Sequence, residues 1–160
     1  MTSVASGIPE NRHALRSLHH VGITVGDLDR AVRFWEELLG RPAHYRGVSD
    51  RPYLGECVGY PGVAIDIALI ELPGGGRLEL LEYQLPGRTP HDAETKHPGN
   101  THLCFTVDDA DRAWAHAVSC GVTPRRPGGP IEVEAGPNRG ARVAYLLACD
   151  GVSFEIYQPA

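Results

Sequence analysis

Two histidines and two glutamates carry the chemistry this sequence offers. His20 and His102 stand 82 positions apart, each near the start of a short alternating segment, Leu18 to Val25 and Thr101 to Val107. The residues that follow match in the same register, Asp27-Leu28-Asp29-Arg30-Ala31 against Asp109-Ala110-Asp111-Arg112-Ala113. Self-similarity at a fixed offset marks an internal repeat. Side chains of a strand alternate between its two faces, so each predicted strand divides into two phases. Val21, Ile23 and Val25 oppose His20, Gly22 and Thr24, and Leu103, Phe105 and Val107 oppose His102, Cys104 and Thr106. Leu78 and Leu80 oppose Arg77, Glu79 and Leu81, while Val152, Phe154 and Ile156 oppose Ser153, Glu155 and Tyr157. The second phase therefore gathers His20, Glu79, His102 and Glu155, one per strand and two per module. Two imidazoles and two carboxylates suit a divalent transition metal. The plainer alternative is that they are the solvent-facing residues of half-buried sheets. A donor at corresponding places of four matching strands weighs toward the metal.

The elements that must position these side chains follow from periodicity and punctuation. Leu28, Ala31, Val32, Trp35, Leu38 and Leu39 recur at helical spacing, between Asp27 as N-cap and Gly40 as a left-handed end. A second helix near Ala110 to Cys120 carries Ala113, Trp114, Ala117 and Val118, and Gly121 closes it. Strands are predicted at Val63 to Leu72 and Arg77 to Tyr83, around Pro73-Gly74-Gly75-Gly76. A terminal hairpin, Ala141 to Ala148 and Val152 to Tyr157, turns at Asp150-Gly151. Residues 41–62 resist assignment. Residues 1–16 read as a polar tail and 17–159 as a single domain, with module one at 17–86, a linker at 87–99 and module two at 100–159. The Gly/Pro-rich stretch 125–140 has the character of a lid or binding loop.

A net charge of −5 disfavours a nucleic-acid partner. No stretch approaches the ~20 apolar residues of a membrane span, and the first residues lack the apolar run of a signal peptide, which points to a cytoplasmic protein. Cys57, Cys104, Cys120 and Cys149 show no CxxC spacing and are expected to be reduced core residues. Arg125, Arg126, Arg139 and Arg142 flank the 125–140 loop and could hold an anionic substrate, although a solvated loop is the commoner outcome.

Other candidates rank lower. Glu82 lies on the opposite phase to Glu79. His19 faces the helix side by alternation, as a core or edge histidine. His91, Asp92, Glu94 and His97 look like a metal cluster but sit in the linker. Cys104 and Tyr157 share the phases of His102 and Glu155, and either line a cavity or pack.

The segments His20-Val-Gly-Ile-Thr-Val with Asp27-Leu-Asp-Arg-Ala-Val-Arg-Phe-Trp, Leu78-Glu79-Leu80-Leu81-Glu82, His102-Leu-Cys-Phe-Thr-Val-Asp-Asp and Asp150-Gly151-Val-Ser-Phe-Glu155 resemble the vicinal-oxygen-chelate superfamily. That superfamily includes glyoxalase I, methylmalonyl-CoA epimerase, extradiol dioxygenases, and fosfomycin and bleomycin resistance proteins. The resemblance spans about Ser17 to Pro159. It implies an α+β fold of paired βαβββ modules forming a cupped mixed sheet around a metal, helices outside, with His20, Glu79, His102 and Glu155 as ligands. It further implies a metal-dependent isomerase or lyase of epimerase or glyoxalase I type, working on a small anionic or thioester substrate. Zn, Co or Ni would hold vicinal oxygens and stabilise an enediolate. Glu155 or Glu79 would move a proton beside a carbonyl or thioester. Glu79 looks like bacterial glyoxalase I, since the methylmalonyl-CoA epimerase commonly has Gln there. That epimerase takes its base from the segment where Glu56 lies. A homodimer is also implied. The alternatives are an Fe(II) ring-cleaving dioxygenase, using two histidines and one glutamate, and a binding or resistance protein without turnover.

Overall fold

The computed structural model describes residues 17–90, 92 and 94–160; the expected tail and His91 lie outside the described residues. The first half of the chain runs β1 (Val21–Thr24), α1 (Leu28–Leu39), β2 (Ala43–Ser49), α2 (Pro52–Val58), β3 (Ile65–Glu71) and β4 (Arg77–Tyr83). The second runs β5 (His102–Thr106), α3 (Ala110–Ser119), β6 (Thr123–Pro124), β7 (Ile131–Glu132), β8 (Arg142–Leu147) and β9 (Ser153–Gln158). Two mixed sheets result, ordered β1-β4-β3-β2 and β5-β9-β8-β6, with β7 also paired to β8. In each sheet the first strand runs parallel to the last, β1 with β4 and β5 with β9. Antiparallel hairpins β3–β4 and β8–β9 complete the correspondence. This is the expected α+β arrangement, with the two halves built to one plan.

The unassigned region 41–62 holds β2 and α2. β2 is an edge strand whose residues are exposed or half-buried throughout, so no apolar phase marks it in sequence. α2 is a short helix entered at Pro52 and closed by Gly59 at φ 80°. The stretch 125–140 contains β7 and is otherwise irregular, as read.

Matching side chains tie down both long helices. Asp27 accepts from the Arg30 N–H at 2.9 Å and Asp109 from the Arg112 N–H at 3.0 Å. The last strand of each half adds a second acceptor: Glu82 takes the Leu28 N–H at 2.8 Å, and Gln158 takes the Ala110 N–H at 2.8 Å. Glu82 is thereby a helix-capping residue. Glu82→Ala and Gln158→Ala are each expected to lower unfolding stability by about 1 kcal/mol, read from urea midpoints at constant slope.

The core forms where the apolar phases meet the helices. Leu28, Ala31, Val32 and Trp35 of α1 are buried with Ala68, Ile70, Leu78 and Leu80. Ala110 and Ala117 of α3 join Leu146, Phe154 and Ile156 in the same cluster. Trp35 is wholly buried, so Trp35→Ala should cost about 3–5 kcal/mol, measurable by chemical denaturation.

The cysteines correct an expectation. All four are free, but Cys57 and Cys104 are exposed and Cys120 and Cys149 only half-buried. Cys104 lies on the phase that faces away from α3, whereas Cys149, in a short turn beside Asp150, packs against the margin of the core. Among the described residues no helix is long and apolar enough to cross a membrane.

Polar contacts join the halves. Asp150, held at φ 55°, accepts from Arg30 Nη2 at 2.7 Å and from the Gly26 N–H at 3.3 Å. The linker's Arg88 donates to the Val25 carbonyl at 3.2 Å. Across the helices, His116 Nε2 lies 3.1 Å from the Leu38 carbonyl.

Candidate metal centre

Parallel pairing of first and last strands fixes the donor residues. Gly22 is in register with Glu79, and Cys104 with Glu155. The histidine two positions earlier lies on the same phase and reaches back to the glutamate in both halves. His20 Nε2 is 3.2 Å from Glu79 Oε2, and His102 Nε2 is 3.2 Å from Glu155 Oε2. The side chains stay reachable, the histidines at 40% and 37% exposure and the glutamates at 23% and 15%.

Imidazole nitrogen beside carboxylate oxygen, with no lysine or arginine contact among the described residues, is a donor combination that fits a divalent transition metal. Each pair supplies only two donors. Among the described residues no three of His, Cys, Asp and Glu come together in a group able to hold a metal ion. The four expected ligands therefore stand as two separate His–Glu pairs, one on each sheet.

The surroundings of the two pairs differ. His19 Nδ1 lies 2.8 Å from His20 Nδ1, and both rings are exposed. His19 departs from the helix-side expectation, for it precedes β1 at Val21 and its exposed ring meets that of His20. Beside the other pair, Tyr145 Oη lies 3.3 Å from His102 Nε2, and the two rings are 5.1 Å apart. Burial first, then its hydrogen bond with Glu155, holds the phenol above its ordinary pKa. Cys104 is likewise pushed up to about 11, by burial and then by Glu155, so it presents a neutral thiol at pH 7. Sequence reasoning missed Tyr145. The signal lay in the phase of the 141–148 strand that also carries Val143 and Leu147.

The lesser candidates are engaged elsewhere. Asp92 pairs with His97 at 3.4 Å, and Glu94 with Arg125 at 2.8 Å. Arg125 Nη2 also reaches Ser153 Oγ at 3.5 Å, on the Glu155 phase of β9. Arg126 donates to the Gly129 carbonyl at 3.1 Å. Arg142 grips both oxygens of Asp111, which holds that carboxyl below the usual range. Arg139 and Glu56 are exposed, the latter on α2. Tyr157 is half-buried, in register with Thr106 and Val143.

Comparisons with known proteins agree with this architecture. A family model described as the glyoxalase/bleomycin resistance protein/dioxygenase superfamily matches residues 19–145. A 2-epi-5-epi-valiolone epimerase from an Actinomyces species is 31% identical over 143 residues, covering 88% of this chain and 78% of that protein. A glyoxalase family protein from Bacillus cereus superposes with a TM-score of 0.76 at 22% identity, covering 93% of this chain and 97% of that one. A mutant of the fosfomycin resistance protein FosX from Listeria monocytogenes, complexed with Mn(II) and 1S,2S-dihydroxypropylphosphonic acid, superposes with a TM-score of 0.58. Its identity is 14%, and the match covers 89% of this chain and 90% of that one.

Proposed function

This chain belongs to the glyoxalase/bleomycin resistance protein/dioxygenase superfamily, and on that premise we propose that it is a metal-dependent isomerase of epimerase type. Its reaction inverts a carbon next to a carbonyl group of a small molecule. The observation that carries this reading is the duplicated His–Glu pair at matching strand register. The identity shared with an epimerase supports epimerisation over the glyoxalase and oxygenase alternatives.

His20, Glu79, His102 and Glu155 would hold the ion. When bound, a divalent ion supplies Lewis-acid stabilisation of negative charge on the carbonyl oxygen. The chain's own residues do the rest. Glu155 and Glu79 give one carboxylate from each module, and inversion needs a proton removed on one face and returned on the other. A pair of two donors does not complete a metal coordination sphere. One copy's His20–Glu79 pair therefore meets the other copy's His102–Glu155 pair in a homodimer. Exposed Tyr45, Val48, Tyr53 and Tyr60 in the first half supply apolar surface for such a contact.

Incubation of the Zn-, Co- or Ni-loaded protein with small hydroxylated ketones in D₂O tests the reaction. Turnover should place one solvent deuterium on the inverted carbon. Turnover without deuterium uptake would sink proton abstraction.

A further inference from the structure

We propose that Tyr145 binds substrate, its phenol donating a hydrogen bond to the substrate oxygen held beside His102 and Glu155. The inference rests on the metal-dependent reading above and extends it to the polarity of the substrate.

The two half-sites have identical donors but unequal frames, and strand register makes the comparison position by position. The residues facing Glu79 across the sheet are Gly22 and Leu69. Those facing Glu155 are Cys104 and Tyr145. Where the first half places a hydrogen and an isobutyl group, the second places a thiol and a phenol. The next pair on the first half's face, Ile67 with Leu81, continues the apolar wall. In the second half the equivalent pair is Val143 with Tyr157, which adds a second phenol on that face.

Tyr145 is aimed at the donor atoms rather than packed behind them. Its hydroxyl lies 3.3 Å from His102 Nε2, the same nitrogen that stands 3.2 Å from Glu155 Oε2. The residue is 37% exposed, so packing does not explain the placement of a large aromatic there. A phenol is a neutral donor, suited to an oxygen on which charge develops. The substrate's oxygen-bearing end thus belongs at the second half-site and its apolar part at the first. A compound with adjacent oxygens, such as a hydroxy ketone, meets both demands.

The test uses the full-length chain loaded with Ni(II), and acetohydroxamate as a probe with two adjacent oxygens. Ni(II) and probe affinities are measured by calorimetry for the unaltered chain and for Tyr145→Phe. Tyr145→Phe should keep its Ni(II) affinity and bind the probe about tenfold more weakly, the effect of one hydrogen bond to a charged group. Unchanged probe affinity in Tyr145→Phe overturns the assignment while leaving the metal centre standing. So does a matching loss of Ni(II) affinity, because Tyr145 would then act only by positioning His102. Failure of the unaltered chain to bind Ni(II) overturns the metal reading itself, and this inference with it.

Discussion

His20→Ala is expected to weaken divalent-metal binding on the order of 100-fold, and His102→Ala to do the same. Four-donor zinc sites are held by roughly 10–16 kcal/mol, so each donor accounts for about 3 kcal/mol. The equal loss follows from the repeat: both histidines lie two residues before the register partner of their glutamate, at the same 3.2 Å. Mixing the variants distinguishes where the site forms. Co-refolded at equal amounts, half the dimers would pair one of each, and each such dimer regains one intact site. Metal uptake should then return to about a quarter of the unaltered level, as two-fold pairing dictates. Sites built within one chain would recover none.

Glu155→Gln should lower turnover by about a thousandfold, within the range a positioned proton-transfer group contributes. Glutamine keeps the shape and an oxygen but cannot take a proton, so the chain should fold with an unchanged urea midpoint. Glu155 is the carboxylate with a phenol and a thiol beside it, whereas Glu79 faces Gly22 and Leu69. Steady-state rates and metal content measured on the same sample separate loss of the base from loss of the ion. Turnover within tenfold of the unaltered chain would remove Glu155 from proton transfer.

The shared phase of His20, Glu79, His102 and Glu155 was legible in sequence because strand alternation and a fixed repeat are both local signals. His20 and Glu79 need only the pleat and a parallel register to meet, and so do His102 and Glu155. β2 was illegible because an edge strand with no buried phase carries no alternation. Glu82 and Gln158 cap helices 54 and 48 residues away, a distance no local pattern spans. The separation into half-sites was equally hidden. It depends on how the two sheets are set relative to each other, through contacts such as Arg30 with Asp150, 120 positions apart. Tyr145 carried no such signal, because its strand holds neither histidine nor glutamate.

The most direct test of the central claim is metal identity and stoichiometry on protein purified without oxygen. The account predicts about one Zn, Co or Ni per chain, since a symmetric dimer holds two interfacial sites. Iron as the dominant metal would shift the chemistry to ring cleavage. No metal, and none taken up on reconstitution, would contradict the four-residue centre.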